Sequence, residues 1–226
     1  CSTITSIDIS STVNNIGNYA FIGYRGNSQL TILTGMEGVE SIGQSAFENT
    51  KITELNVPSL TTIGDSAFRP YSSNQTLTTV NAPNLTTVGK NVFNNQANLN
   101  TINAPNLNNV GLNAFKDTPI HSTYPSIRRV EIGKVNPSDV IAEYNDYTKQ
   151  LNVYGTGEMI DFRGPDRYGS GSNLVNSYNN SYPIDSITIQ EGVSNIGAYA
   201  FYSNTKPIHI SNSVKKIGDG ALYGVY

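Results

Sequence analysis

Cysteine, tryptophan and charge are what this chain has least of. A single cysteine, Cys1, excludes an intrachain disulfide and any cysteine-built metal cluster. Tryptophan is absent, so an aromatic core must rest on phenylalanine and tyrosine. Charged residues make up only 14% of the 226 positions, the net charge is −3, and the isoelectric point lies near 5.3. Phosphate backbones need clustered Lys and Arg, so nucleic acid is excluded as a partner. No apolar run approaches the roughly 18 residues of a membrane-spanning helix. Membrane attachment is left to a lipid anchor or to a segment outside these residues.

Groups suited to catalysis are equally sparse. The two histidines, His121 and His209, stand 88 residues apart, and no serine has a His and an Asp at motif spacing. Gly155-Thr156-Gly157 is not a phosphate loop, because it lacks a third glycine and no Lys-Ser/Thr pair follows. Asp161 and Asp166 flank a Gly/Pro loop; without the spacing of an EF-hand they read as solvated carboxylates in preference to a Ca²⁺ site. Nothing calls for a cofactor or a metal, and the chain reads as non-enzymatic.

What the chain does have is one six-residue phrase written seven times. Ile63-Gly64-Asp65-Ser66-Ala67-Phe68 recurs at Ile16–Phe21, Ile42–Phe47, Val88–Phe93, Val110–Phe115, Ile196–Phe201 and Ile217–Leu222. The first five glycines, Gly17, Gly43, Gly64, Gly89 and Gly111, are separated by 26, 21, 25 and 22 residues. A period in the low twenties is the signature of a solenoid with one coil per repeat.

The clearest unit runs from Ile52 to Phe68. Leu55-Asn56-Val57 alternates apolar and polar, as a short strand with one buried face does. Pro58 removes an N–H and ends it. Leu60 and Ile63 are three apart, which suits a tight 3₁₀ turn or an extended corner. Gly64 supplies a backbone angle or a close approach, and Asp65 or Ser66 is placed to cap a helical turn that carries Ala67 and Phe68 inward. One repeat alone cannot bury this apolar set; stacked neighbours can.

These residues resemble the leucine-rich repeat of the BspA type, a family of bacterial and protist surface proteins, over roughly 1–132 and 184–226. The resemblance implies a leucine-rich repeat solenoid, with parallel β-strands on one face and short 3₁₀ or helical turns on the other. It also implies a place at the cell surface or outside the cell, since characterised members include adhesins. In the family a cysteine often occupies the position of Cys1, three before Ile4; Tyr24, Thr50, Tyr71, Gln96 and Thr118 hold the matching place. That favours Cys1 as a repeat position in an excerpt of a longer array over Cys1 as the lipidated first residue of an outer-membrane lipoprotein. Polarity drawn from Asn, Ser and Thr suits an uncharged extracellular surface, or reflects repeat positions that tolerate those residues.

Three stretches depart from the pattern. In the second coil Thr34-Gly35-Met36 adds residues before Val39 and predicts a β-bulge. Ile127–Ile132 starts like a sixth repeat strand but never reaches an Ile-Gly turn. Residues 133–183 form an insert, with a predicted β-hairpin of Val140–Tyr144 and Gln150–Tyr154 followed by a mobile Gly/Ser loop over Gly164–Asn173. Gly155–Phe162 is similar to a segment that precedes fresh repeat runs in the family. The family closes that segment with a Trp; this chain offers Tyr178 or Tyr182. The expected organisation is one elongated domain: repeats over 1–132, the insert over 133–183, and repeats resumed over 184–226.

The candidate ligand surface is the outward row of the strands: Asn56, Asn81, Asn103, Glu131, Thr188 and His209, in line with Asp8 and flanked by Arg128 and Arg129. Repeat proteins commonly bind along such a sheet. The competing reading is that the Asn rungs only hydrogen-bond to one another. The chain thus reads as a cell-surface or secreted binding module for an extracellular protein or glycan. The alternatives are a structural spacer and a non-catalytic module of a larger surface enzyme.

Overall fold

The computed structural model describes residues 3–23, 28–71, 74–165, 172–175 and 182–224. Cys1, Tyr24, Asp166, Tyr178 and most of the Gly/Ser loop lie outside them. The chain divides into two compact units, Cys1–Ser126 and Ile127–Tyr226.

The first unit is a solenoid of five coils, each contributing two short strands. Coil one carries β1 (Ser6–Asp8) and β2 (Asn15–Ile16), coil two β3 (Ile32–Thr34) and β4 (Ser41–Ile42), and coil three β5 (Glu54–Asn56) and β6 (Thr62–Ile63). Coil four adds β7 (Thr79–Asn81) and β8 (Thr87–Val88), and coil five β9 (Thr101–Asn103) and β10 (Asn109–Val110). All pairings are parallel: β1 with β3, β5 with β7 with β9, and β2 through β10 as one five-stranded sheet.

The apolar positions of the clearest repeat all face inward. Leu55, Val57, Leu60, Ile63, Ala67 and Phe68 are buried, as are their counterparts Val80, Ala82, Leu85, Val88, Val92 and Phe93 in the following coil. Phe21, Phe47, Phe68, Phe93 and Phe115 form one column, with successive ring centroids 5.1 to 5.7 Å apart, and Tyr124 closes it 5.3 Å beyond Phe115. The turns that carry these rings are also tied coil to coil: the amide of Phe47 donates to the Ala67 carbonyl and that of Phe93 to the Ala114 carbonyl.

Three local expectations are corrected. Asp65 does not cap its own turn. Its Oδ1 accepts the Lys90 amide of the following coil at 2.7 Å, and Ser66 adopts a left-handed φ of 59°. No helix forms there; the turn closes by i→i+3 bonds such as Ala67 N–H to the Gly64 carbonyl. Gly64 serves close approach, since a Cβ on it would stand 2.6 Å from the Gln44 amide nitrogen of the coil before. The predicted bulge is instead a 3₁₀ turn, Met36–Gly38, entered through Gly35 at φ 69°. A Cβ on Gly35 would meet the Ile9 carbonyl oxygen at 1.8 Å, so only glycine lets the extra residues fold into the turn and leave the strand regular.

The second unit opens with β11 (Ile127–Glu131), which is not a sixth repeat strand. It pairs antiparallel with β12 (Val140–Asn145), which pairs antiparallel with β13 (Gln150–Gly155). The predicted hairpin is therefore present, and it is no separate lobe. β13 pairs in parallel with β15 (Ser186–Ile189), and β15 with β17 (Ile208–Ile210), so hairpin and resumed repeats share one sheet. A second parallel sheet joins β14 (Gly157–Glu158), β16 (Val193–Ile196) and β18 (Lys216–Ile217). Asp161 acts here as Asp65 does in the first unit: its Oδ1 accepts the Ala198 amide at 2.8 Å. The Gly155–Phe162 segment thus serves as the seat on which the next coil stacks.

Candidate ligand-binding face

Two polar rows lie on the strand faces, one in each unit, and their chemistry differs. In the first, Asn56, Asn81 and Asn103 are direct partners across β5, β7 and β9. Parallel in-register pairing stacks like side chains at one spacing, so each amide can reach the next. Asn103 Nδ2 donates to Asn81 Oδ1 at 2.8 Å, and Asn81 Nδ2 donates to Asn56 Oδ1 at 2.7 Å. On β1 and β3, Thr34 Oγ1 donates to Asp8 Oδ1 at 2.6 Å. Thr34 was hidden in the sequence because the extra residues of coil two blurred where its strand ends.

Other uncharged polar side chains do the same work. Asn84 Nδ2 donates to the Pro58 carbonyl at 2.9 Å and Asn106 Nδ2 to the Pro83 carbonyl at 3.0 Å. Thr78 and Thr86 donate to the Thr53 and Thr61 carbonyls. Each bond joins one coil to the one before. Much of the Asn and Thr content is therefore a set of staples between coils, at about 0.5–1.5 kcal/mol net per bond.

In the second unit strand pairing places Arg129, Glu143, Asn152, Thr188 and His209 side by side across β11, β12, β13, β15 and β17. Glu131 lies one rung away, opposite Ile141 and in line with Tyr154. Arg129 Nε donates to Glu143 Oε2 at 2.6 Å, and the Tyr154 hydroxyl donates to the same oxygen at 3.0 Å. Asn152, Thr188 and His209 make no side-chain hydrogen bond to any described residue. Glu143, Asn152 and Tyr154 were not among the expected positions. Alternation in Gln150–Tyr154 sets Asn152 and Tyr154 opposite buried Leu151 and Val153, but only the pairing of β13 with β15 joins them to the repeat row.

Arg128 belongs to the other face. It pairs with Tyr144, whose side chain is fully buried, and its guanidinium sits 4.8 Å from the Tyr182 ring centroid. Tyr144 and Tyr182 meet edge to face at 5.4 Å, and the Tyr144 hydroxyl donates to the Pro183 carbonyl at 2.9 Å. Burial pushes the Tyr144 phenol well above its ordinary range.

Asp161 is exposed and lies 3.6 Å from Lys134 Nζ, which also reaches Glu158 at 3.4 Å. The Ala198 amide, with Lys134, holds its carboxyl below the usual range. Among the described residues no group of three or more His, Cys, Asp or Glu is arranged to hold a metal, and no helix is long and apolar enough to cross a membrane.

The sequence profile of the BspA type leucine rich repeat region matches six copies here, over residues 1–122 and 175–225. The chain belongs to the BspA-type leucine-rich repeat family. Among curated proteins none matches it. Solved structures similar to it include a leucine-rich repeat protein from Bacteroides ovatus, at 18% identity and a TM-score of 0.36, over 99% of this chain and 65% of that one. A leucine rich cell surface protein from Faecalibacterium prausnitzii aligns at 19% identity and a TM-score of 0.36, over 96% of this chain and 57% of that one. The pneumococcal vaccine antigen PcpA aligns at 19% identity and a TM-score of 0.31, over 98% and 60%. This BspA-type chain thus spans about three-fifths of the length of the structures it matches.

Proposed function

We propose that this chain is a non-enzymatic binding module of the cell surface or extracellular space, and that it engages an extracellular protein or glycan through the outward face of β11, β12, β13, β15 and β17. The observation that supports the reading is the contrast between the two rows. Hydrogen-bonding groups already paired offer little to a ligand, because each new bond must replace an old one. Asn56, Asn81 and Asn103 are paired in this way. Asn152, Thr188 and His209 sit in register on one sheet, and their side chains make no hydrogen bond to any described residue. We assign Arg128 to packing, and Arg129 and Glu131 to the rim of the binding face. A scaffold role suits the first unit, whose polar row serves its own stacking.

The test is binding of a fluorescent fusion of the whole chain to a monolayer of cultured epithelial cells. Replacing Asn152, Thr188 and His209 together by Ala, Val and Ala is expected to abolish binding with little change in melting temperature. N81A is expected to lower the melting temperature and leave binding of the folded protein intact. Absence of binding by the parent chain, or equal binding by the triple variant, contradicts the reading.

A further inference from the structure

Resting on that binding face, we infer that its ligand is a neutral, hydroxyl-rich glycan chain lying across the strands, with the Tyr154 ring as its platform. Three observations carry the inference, and the first is charge. The Arg129 guanidinium is already bonded to Glu143, and Glu131 adds a second carboxylate on the same face. The formal sum over these three groups is negative, so the face cannot draw in a sulfated, phosphorylated or uronate chain.

The second observation is the scarcity of apolar anchors. Protein interfaces concentrate their affinity in buried aromatic and aliphatic side chains seated in pockets. On this face the large apolar groups are half-buried Ile127 and Ile141 and the ring of Tyr154, and the rest is polar. A protein partner would have to desolvate Asn152, Thr188 and His209 with little apolar gain. A sugar chain presents hydroxyls, each both donor and acceptor, and can satisfy an amide, a hydroxyl and an imidazole in one row.

The third is the fixing of Tyr154. Its hydroxyl is tied to Glu143 Oε2 at 3.0 Å, while Arg129 holds the same oxygen from the neighbouring strand at 2.6 Å. The ring is thereby oriented beside Asn152, two residues along the same face. An ordered aromatic ring next to planar hydrogen-bonding groups suits the apolar C–H face of a sugar ring on one side and its hydroxyls on the other. Adjacent strands lie about 4.8 Å apart, so Asn152, Thr188 and His209, with Tyr154 beside Asn152, form a track of about 10 Å across three strands, enough for a pair of sugar units.

The experiment is native affinity electrophoresis of the whole chain in gels containing dextran, yeast mannan or guar galactomannan, with heparin as the anionic comparison. Retardation is expected in at least one neutral polysaccharide and not in heparin. T188V keeps a β-branched side chain and removes one hydroxyl, and is expected to weaken retardation at least about threefold, the worth of one hydrogen bond. Y154A is expected to abolish it, and N81A to leave it unchanged. No retardation in any neutral polysaccharide, retardation in heparin alone, or retardation unmoved by T188V and Y154A overturns the inference. Periodate treatment of the epithelial monolayer separates this failure from failure of the binding reading. Binding that is lost in the Asn152, Thr188 and His209 triple variant but survives periodate keeps the face as a binding surface and rules out glycan as its ligand.

Discussion

Phe47 and Phe68 stack with ring centroids 5.3 Å apart and planes 12° from parallel, although 21 residues separate them in the chain. Each ring has a like ring on both sides, so the column buries aromatic faces without any one repeat owning a core. Removing a ring from the middle leaves a cavity that its neighbours cannot fill without shifting whole coils. F68A is expected to cost about 3–5 kcal/mol in denaturant unfolding. F21A, at a half-buried ring that stacks on one ring, Phe47, among the described residues, is expected to cost less than half as much.

The amide ladder makes a sharper prediction at Asn81, which donates to Asn56 and accepts from Asn103. N81A is expected to lose about 1–2 kcal/mol, the sum of two net hydrogen bonds on an exposed face. N81D keeps the acceptor and, once ionised, loses the donor and sets a carboxylate against the Asn56 oxygen. The protonated acid can still donate, so folding favours it and raises the carboxyl pKa in the native state. Stability of N81D should therefore recover as pH falls through that raised value, opposite to the trend of an ordinary carboxylate. Melting curves across the acid range check this.

Asp161 has the opposite sign. The Ala198 amide, and then Lys134, hold its folded-state carboxyl below the ordinary value. Its contribution is complete above the pKa of the unfolded chain and is lost as pH falls through the lower folded value. The group is exposed, so solvent screening keeps the effect small. D161N retains an Oδ1 acceptor, as Asn18 does for the Gln44 amide at 2.8 Å in the first coil. It should fold normally and lose this part of the acid dependence, whereas D161A should lose the bond at every pH. Comparing the acid limbs of the three melting profiles tests it.

Arg128 and Arg129 are neighbours with separate tasks. R128A is expected to lower stability by about 0.5–1 kcal/mol through the lost contact with the Tyr182 ring, and to leave ligand binding untouched. R129A releases Glu143 and with it the anchor of Tyr154, so it should weaken binding with little change in melting temperature. Equal effects of the two on both readouts would contradict the assignment of opposite faces.

Much of this fold was legible because the repeat phrase encodes it locally. Ile63, Ala67 and Phe68 recur at one spacing, and only a stack can bury them. Boundaries of the hairpin were readable for the same reason, since alternation in Gln150–Tyr154 sets Leu151 and Val153 on one face. What could not be read was partnership. Nothing in Ile127-Arg128-Arg129-Val130 says that its strand runs antiparallel to β12, and that pairing alone puts Arg128 against Tyr182 and Arg129 into the row with Thr188. Asp65 shows the same limit: its acceptor looks local in sequence, but the waiting N–H belongs to Lys90, 25 residues on. The Asn row could be drawn, but whether its amides faced a ligand or one another depended on register.

The stapled row and the binding row differ in whether their side chains are already hydrogen-bonded, and side-chain amide hydrogen exchange measures that difference directly. In ¹H–¹⁵N spectra of the whole chain, the Nδ2 protons of Asn81 and Asn103 are predicted to exchange markedly more slowly than those of Asn152. Asn152 should exchange close to the rate of a free amide. Equal protection at the three residues, or faster exchange at Asn81 than at Asn152, would contradict the division into a stapled row and a binding row.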